Sequence, residues 1–323
     1  MSDSAIHSLA GAAGGIVAMT ATYPLVVLST RAAVETKNES KTITQAVIDI
    51  IKREGVLGLY SGLSSSLLGI AVANGVYYYF YERSRGIILN SRKGSKALST
   101  LESMLAGVIA GSATTIISNP IWVVQTSQAV RTSDRSPSPS DPSQHPAPQI
   151  VKKLGIFETI QHILGKEGLA GFWRGIGPAL VLVINPVLQY TVFEQLKNLL
   201  IKRRTERMRA AGGVAAAVAV LTDWDFFFLG ALSKMVATGS TYPYIVVKSR
   251  LQAGEANAQK YKSSLHGLAT ILKEEGPQGL YKGVGSKLTQ SVLTAAILFA
   301  GQRRIYEVAK KAIGSVAKPI ASR

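Results

Sequence analysis

Apolar stretches free of charge recur along the chain, separated by polar connections rich in Lys, Arg and Glu. Four of them cover 8–30, 63–81, 103–130 and 175–193. A fifth, 226–247, is interrupted only by Lys234, and a sixth, 288–302, is short and lies between Lys287 and Arg303. A membrane-spanning helix needs about 20 mostly apolar residues. Four stretches meet this outright, the fifth with one exception, and the sixth if its flanking cations reach back to the interface. The pattern predicts six transmembrane helices, and six such stretches in one chain disfavour buried core helices of a soluble protein. Between the first two, Ile43, Val47, Ile50 and Ile51 fall at helical spacing in a polar segment. That spacing predicts a short amphipathic helix on the membrane surface. Gly11, Gly14 and Gly15 would let the first helix approach a neighbour closely. Pro24 should interrupt that helix with a bend facing protein or water. The aromatic cluster 77–81 suits a membrane interface.

The chain also echoes itself. Pro243 closes an apolar run, Lys248 and Arg250 follow, and Glu275-Gly276-x4-Tyr281-Lys282-Gly283 comes after a polar segment. The first copy has Pro24, Arg31, then Glu54-Gly55-x4-Tyr60-Ser61-Gly62. The second has Pro120, Ser127, then Glu167-Gly168-x4-Trp173-Arg174-Gly175. Three copies in order define tandem repeats, each with two membrane helices around one surface helix. The repeats are expected at 1–98, 99–203 and 222–315. The second carries an insertion near 131–149, whose Ser/Pro run cannot form a packed core and reads as a disordered loop.

The 323 residues include no cysteine, which excludes disulfides and thiolate metal sites. His7, His145, His162 and His266 lie far apart, so neither a metal cluster nor a catalytic triad is spelled out, and no cofactor is expected. An enzyme is the least favoured class. The net charge of +17 suits anionic lipid headgroups and an anionic solute. Nucleic acid is disfavoured, because the cations are scattered over the connections rather than gathered in one domain. The basic run 202–209 reads as a juxtamembrane contact with anionic lipid or as a targeting patch.

These repeats resemble the mitochondrial carrier family over nearly the whole chain. The resemblance implies an all-α membrane protein, with six transmembrane helices in three pseudo-symmetric repeats around a central cavity. It also implies short surface helices between odd and even helices, and alternating access to a midplane site. Asn119-Pro-Ile-Trp-Val-Val124 is similar to a form found among peroxisomal nucleotide and mitochondrial NAD and folate carriers. Segments 76–82 and 283–296 are similar to those of peroxisomal adenine nucleotide carriers. The implied activity is exchange of ATP for AMP or ADP across the peroxisomal membrane by a multi-pass monomer. The alternatives are a mitochondrial inner-membrane carrier of NAD, folate, CoA or another nucleotide, and a non-transporting membrane scaffold.

In the family an acid two residues after each proline closes one gate. Here those positions hold Val26, Trp122 and Ile245, so no ionic ring can form. Apolar packing led by Trp122 is the expected substitute. The second ring matches Glu82 with Arg85 and Glu194 with Lys197, while repeat 3 carries Arg303 where the acid belongs. The family's contact positions fall on Gly69, Leu182, Val183 and Gln290. Lys287, Gln290 and Thr294 share one helical face, Gly69 leaves room for a flat base, and Leu182 and Val183 offer it an apolar wall. Lys234, a charge inside a membrane helix, should face the bundle interior as a substrate contact or an interhelical partner. Lys248 is the cation left without a matching acid. Arg31 and Arg250 are candidate cavity-mouth cations or interfacial anchors. Asn74 and Asn185 are candidates for bonding base edges or neighbouring helices. Gly55, Gly168 and Gly276 are implied sites for cardiolipin-like phosphates.

Overall fold

A computed structural model describes residues 3–35, 42–91, 97–130, 155–210, 219–254, 260–261, 263–294 and 297. Among the described residues the regular structure is helical throughout. The long helices are α1 (Asp3–Val34), α3 (Leu63–Asn90), α4 (Thr100–Val130), α7 (Asn185–Ala210) and α8 (Asp223–Ala253). The surface helices are α2 (Ile43–Glu54), α5 (Ile156–Glu167) and α9 (Ser264–Gly279). A short α6 (Ile176–Val181) precedes α7, and α10 covers 284–294. Four segments are long and apolar enough to cross a membrane: Gly15–Val34, Val56–Asn90, Thr100–Val130 and Leu169–Ala210. The 31 residues of α8 would rise about 46 Å, also enough to cross. Residues 295–296 and 298–302 of the sixth apolar stretch, the insertion near 131–149 and Arg303 lie outside the described residues.

The prolines do not interrupt their helices as expected. Helices α1, α4 and α8 continue through Pro24, Pro120 and Pro243. Neighbouring groups take up the slack that a missing N–H leaves. Pro120 frees the carbonyl of Ile116, which accepts the indole N–H of Trp173 at 3.0 Å. Two residues before each proline a hydroxyl bonds back along its own helix. These bonds are Thr22 to Ala18 O at 2.8 Å, Ser118 to Thr114 O at 2.7 Å and Thr241 to Ala237 O at 2.9 Å. Such back-bonding bends a helix gently without breaking it. The break comes elsewhere. Pro186 has no N–H, and the preceding residues Leu182–Ile184 tighten into a 3₁₀ turn between α6 and α7, with Asn185 N–H bonded to Leu182 O.

The amphipathic spacing in 43–51 does produce a helix. Thr42 and Gln45 close a capping box at the start of α2, Ile50 is buried, and Ile43 and Ile51 stay exposed. Its buried contacts recur in all three repeats. Val27, Val123 and Val246, three residues after each proline, pack with Ile50, Ile163 and Ile271, four before each motif glutamate. Each surface helix is thereby fastened to the odd helix of its own repeat. The odd helices α1, α4 and α8 touch one another, while α3 packs along α4 and α7 along α8. Arg204 grips Asp225 through two bonds of 2.6 and 2.5 Å, joining the end of α7 to the start of α8.

Candidate functional site

The three motif glutamates are not at the surface. Glu54 pairs with Arg31 at 2.6 and 2.8 Å, and Glu275 accepts two bonds from Arg250 and one from Lys282 at 2.8 Å. In repeat 2 the odd helix has Ser127 where the others have arginine. Arg174, seven residues after Glu167, supplies the cation and pairs with it. Arg31 and Arg250 are therefore not cavity-mouth contacts for a solute, which corrects the expectation. A guanidinium with no exposed surface, as Arg250 has, is held by a bidentate carboxylate rather than by a diffusing ligand. Burial alone would raise the Glu275 carboxyl, but the bonds from Arg250 and Lys282 outweigh it and hold the group below its ordinary value.

The same cations join each repeat to the next. Arg31 Nε donates to Ala129 O at 2.7 Å, Arg174 Nη2 to Gln252 O at 3.1 Å and Arg250 Nε to Ala33 O at 2.9 Å. The links run from repeat 1 to 2, 2 to 3 and 3 to 1, which closes a ring. The glycines that end the motifs follow the same order. A Cβ on Gly62 would come 3.1 Å from Gln125 O, on Gly175 3.2 Å from Lys248 O, and on Gly283 2.7 Å from Ser29 O. All three also have positive φ, so only glycine fits both the turn and the contact. Within each repeat, the residue before the proline bonds the end of that repeat's own motif. Tyr23 donates to Ser61 O, Asn119 to Arg174 O and Tyr242 to Lys282 O, at 3.0, 3.1 and 3.0 Å.

This end of the bundle is shut mainly by polar bonds, not by the apolar packing expected from Val26, Trp122 and Ile245. Gln125 reaches the Tyr23 hydroxyl at 3.3 Å, and Gln252 meets Thr126 at 3.3 Å and Asn119 at 3.2 Å. Val26, Trp122 and Ile245 are only half-buried. At the opposite mouth the described charges of repeats 1 and 2 do not bridge to another repeat. Glu82 bonds Arg85 at 3.2 Å and Glu194 bonds Lys197 at 2.6 Å, each within its own helix. A pair three residues apart closes locally and has no reach across to another repeat.

Between these ends lie three lysines of the expected site, of which Lys234 was expected to face the interior. Lys234 and Lys248 lie on α8 and Lys287 on α10. All three keep partial solvent access, as groups on the wall of a wet cavity would. Lys234 Nζ donates to Asn185 Oδ1 at 3.3 Å. Asn185 is committed to α8, donating to Thr241 Oγ1 at 2.7 Å and Ala237 O at 3.2 Å. It acts as a bond between helices rather than as a free base-reading group. None of the three lysines forms an ion pair among the described residues. Gln290 Nε2 bonds Thr294 at 3.3 Å, its Oε1 is buried without a partner among the described residues, and Thr294 meets Thr22 of α1 at 3.1 Å.

Four further positions behave differently from expectation. The space above Gly69 is filled by Trp122, so it is not an open slot for a base. Val183 fits against Gly111 of α4, where a Cβ would come 2.7 Å from its Cγ1. Its side chain is used for helix packing, whereas Leu182 is half-buried and Asn74 exposed. The N–H groups of Gly55 and Gly168 are spent on Ile51 O and Leu164 O, so they are not open to a lipid phosphate. One signal in the sequence goes beyond the repeat motif as first read. Gly58, Gly171 and Gly279 each lie four residues after a motif glutamate, and a Cβ there would come 2.6–2.8 Å from that glutamate's own Cβ.

Comparison with known proteins places this geometry. The model of the family described as "Mitochondrial carrier protein" matches residues 2–92, 96–204 and 219–316. The peroxisomal nicotinamide adenine dinucleotide carrier of Arabidopsis thaliana is 36% identical, over 96% of this chain and 97% of its own. Peroxisomal membrane protein PMP34 of Mus musculus is 31% identical, over 92% and 91%. Peroxisomal adenine nucleotide transporter 1 of Eremothecium gossypii is 29% identical, over 89% and 78%.

Proposed function

Because this chain belongs to the mitochondrial carrier family, we propose that it exchanges adenine nucleotides, ATP against AMP or ADP, across the peroxisomal membrane by alternating access. The observation that carries the reading is the cluster of Lys234, Lys248 and Lys287, with no ion pair of their own among the described residues. Cations inside a membrane bundle are costly unless a partner neutralises them, and a polyphosphate chain is such a partner. The apolar residues at 26, 122 and 245 support the same reading, since an acid there would compete with the phosphates for Lys248. Lys248 and Lys287 hold the phosphates, Lys234 extends the positive field, and Gln290 bonds the remaining polar groups. The peroxisomal membrane follows from the relatives, two of which carry nucleotides by name.

A second reading, exchange of NAD, has its own support in the higher identity to the NAD carrier. The charge balance favours ATP. Its phosphate chain ends free, whereas the pyrophosphate of NAD is capped at both ends and its nicotinamide ring is cationic. Purified protein in liposomes preloaded with AMP should take up labelled ATP. Uptake of NAD or CoA with none of ATP would replace the first reading by the second or by a CoA carrier. A fluorescently tagged chain should colocalise with a peroxisomal marker, and mitochondrial localisation would move the activity to the inner membrane.

A further inference from the structure

We propose that Trp122 is the platform on which the substrate's base stacks, so that it sets base affinity while the lysines answer the phosphates. The inference rests on the nucleotide reading above. Trp122 stands where the other repeats carry Val26 and Ile245, and it is the one aromatic of the three. Its indole lies over α3: a Cβ on Gly69 would come 3.4 Å from its Cζ2 and 3.5 Å from its Cε2. The bare backbone of Gly69 seats the ring, and Ile121, 3.3 Å from the same point, flanks it. Such a floor fixes the plane of the indole, which lowers the entropy lost when something stacks on it.

The ring is nevertheless only half-buried. Its N–H has no hydrogen-bond partner among the described residues, in contrast to Trp173, whose N–H is spent on Ile116 O. A membrane-interior indole usually finds a bond for that group when it serves packing alone. A second observation points to a ligand at the same level. Gln290 is the repeat-3 counterpart of Gly69, seven residues after its motif glycine, and its buried Oε1 has no donor among the described residues. The exocyclic amine of adenine is a donor that could satisfy it. Every base has a flat face for an indole, and stacking on an aromatic side chain is sequence-tolerant. Trp122 therefore supplies affinity for the base, and the edge contact supplies the choice among bases.

The test is exchange by the full chain in liposomes, with inorganic triphosphate as a probe that has phosphates and no base. Trp122→Leu should raise the half-saturation concentration of ATP about tenfold, and Trp122→Phe should raise it less. Inhibition by triphosphate should be unchanged in both variants. An unchanged ATP value in Trp122→Leu, or triphosphate inhibition weakened by the same factor, overturns the inference. Should Trp122→Leu fail to fold, intrinsic fluorescence decides. ATP should quench the unaltered chain, triphosphate should not, and Trp122→Phe should remove the quenching. Equal quenching in Trp122→Phe overturns the platform role. If the unaltered chain exchanges no adenine-containing nucleotide, the nucleotide reading fails and this inference falls with it. Intact exchange with an indifferent Trp122 sinks the inference alone.

Discussion

Lys248 and Arg250 are separated by one residue on α8, and the helix turns them to different surroundings. Arg250 is locked to Glu275 and Tyr261 and to the carbonyl of Ala33. Lys248 has no partner among the described residues and keeps access to the interior. Substitution should separate the two roles. Lys248→Gln should lower ATP exchange at least about tenfold, the scale of one charge-assisted bond to a phosphate, and leave thermal unfolding in detergent nearly unmoved. Gly279→Ala should do the opposite. Its Cβ would lie 2.6 Å from the Glu275 Cβ, forcing that carboxylate off its arginine. The expected loss is about 1–3 kcal/mol in unfolding free energy. A Gly279→Ala chain as stable as the unaltered one would show that the surface helix yields without cost.

At the level of elements, the pairing of odd helix to surface helix is the repeated unit. Removing one partner of a buried pair strands a charge, which costs about 3–5 kcal/mol. Arg250→Met should therefore destabilise strongly, while Arg250→Met combined with Glu275→Leu should recover most of the loss in a thermal-shift assay. The pair also ties stability to pH. Because Glu275 is held below its ordinary value in the fold, its contribution is present above the unfolded carboxylate range. It is lost as pH falls through the lowered folded value. Melting temperature should drop on acidification, and the drop should shrink in the Arg250→Met, Glu275→Leu chain. Repeat 2 reaches the same end by another route, with Arg174 replacing the arginine that Ser127 lacks. The exchange of Ser61 with Arg31 in repeat 1 for Arg174 with Ser127 in repeat 2 was visible in the sequence as a complementary swap. Its meaning was not, because a swap between positions far apart in sequence points to a contact only once the fold brings them together.

For the molecule as a whole, the ring of inter-repeat bonds closes one end, and the described charges at the other end pair within their own helices. The closed end relies on buried bonds to backbone carbonyls, which salt screens weakly, whereas a solute approaching the interior lysines is drawn by a field that salt does screen. Raising ionic strength should increase the half-saturation concentration for ATP while leaving the melting temperature nearly constant. A melting temperature that falls steeply with salt would instead mean that exposed ion pairs hold the bundle closed.

The chain's own order of residues determined the helical membrane class, the three repeats, and the places where glycine and proline recur. These depend on local periodicity and on spacing within one repeat, which a linear pattern carries in full. The expectation that Lys234 faces the interior came from the same source, since a charge within an apolar helix has few other places to go. The tertiary structure alone decided that Arg31 and Arg250 are structural, that Trp122 occupies the space of Gly69, and that Asn185 is bound to α8. Those outcomes turn on which side chain of one repeat meets which atom of another. The cost of burying an unpaired charge or an empty gap is settled only when distant segments are packed together.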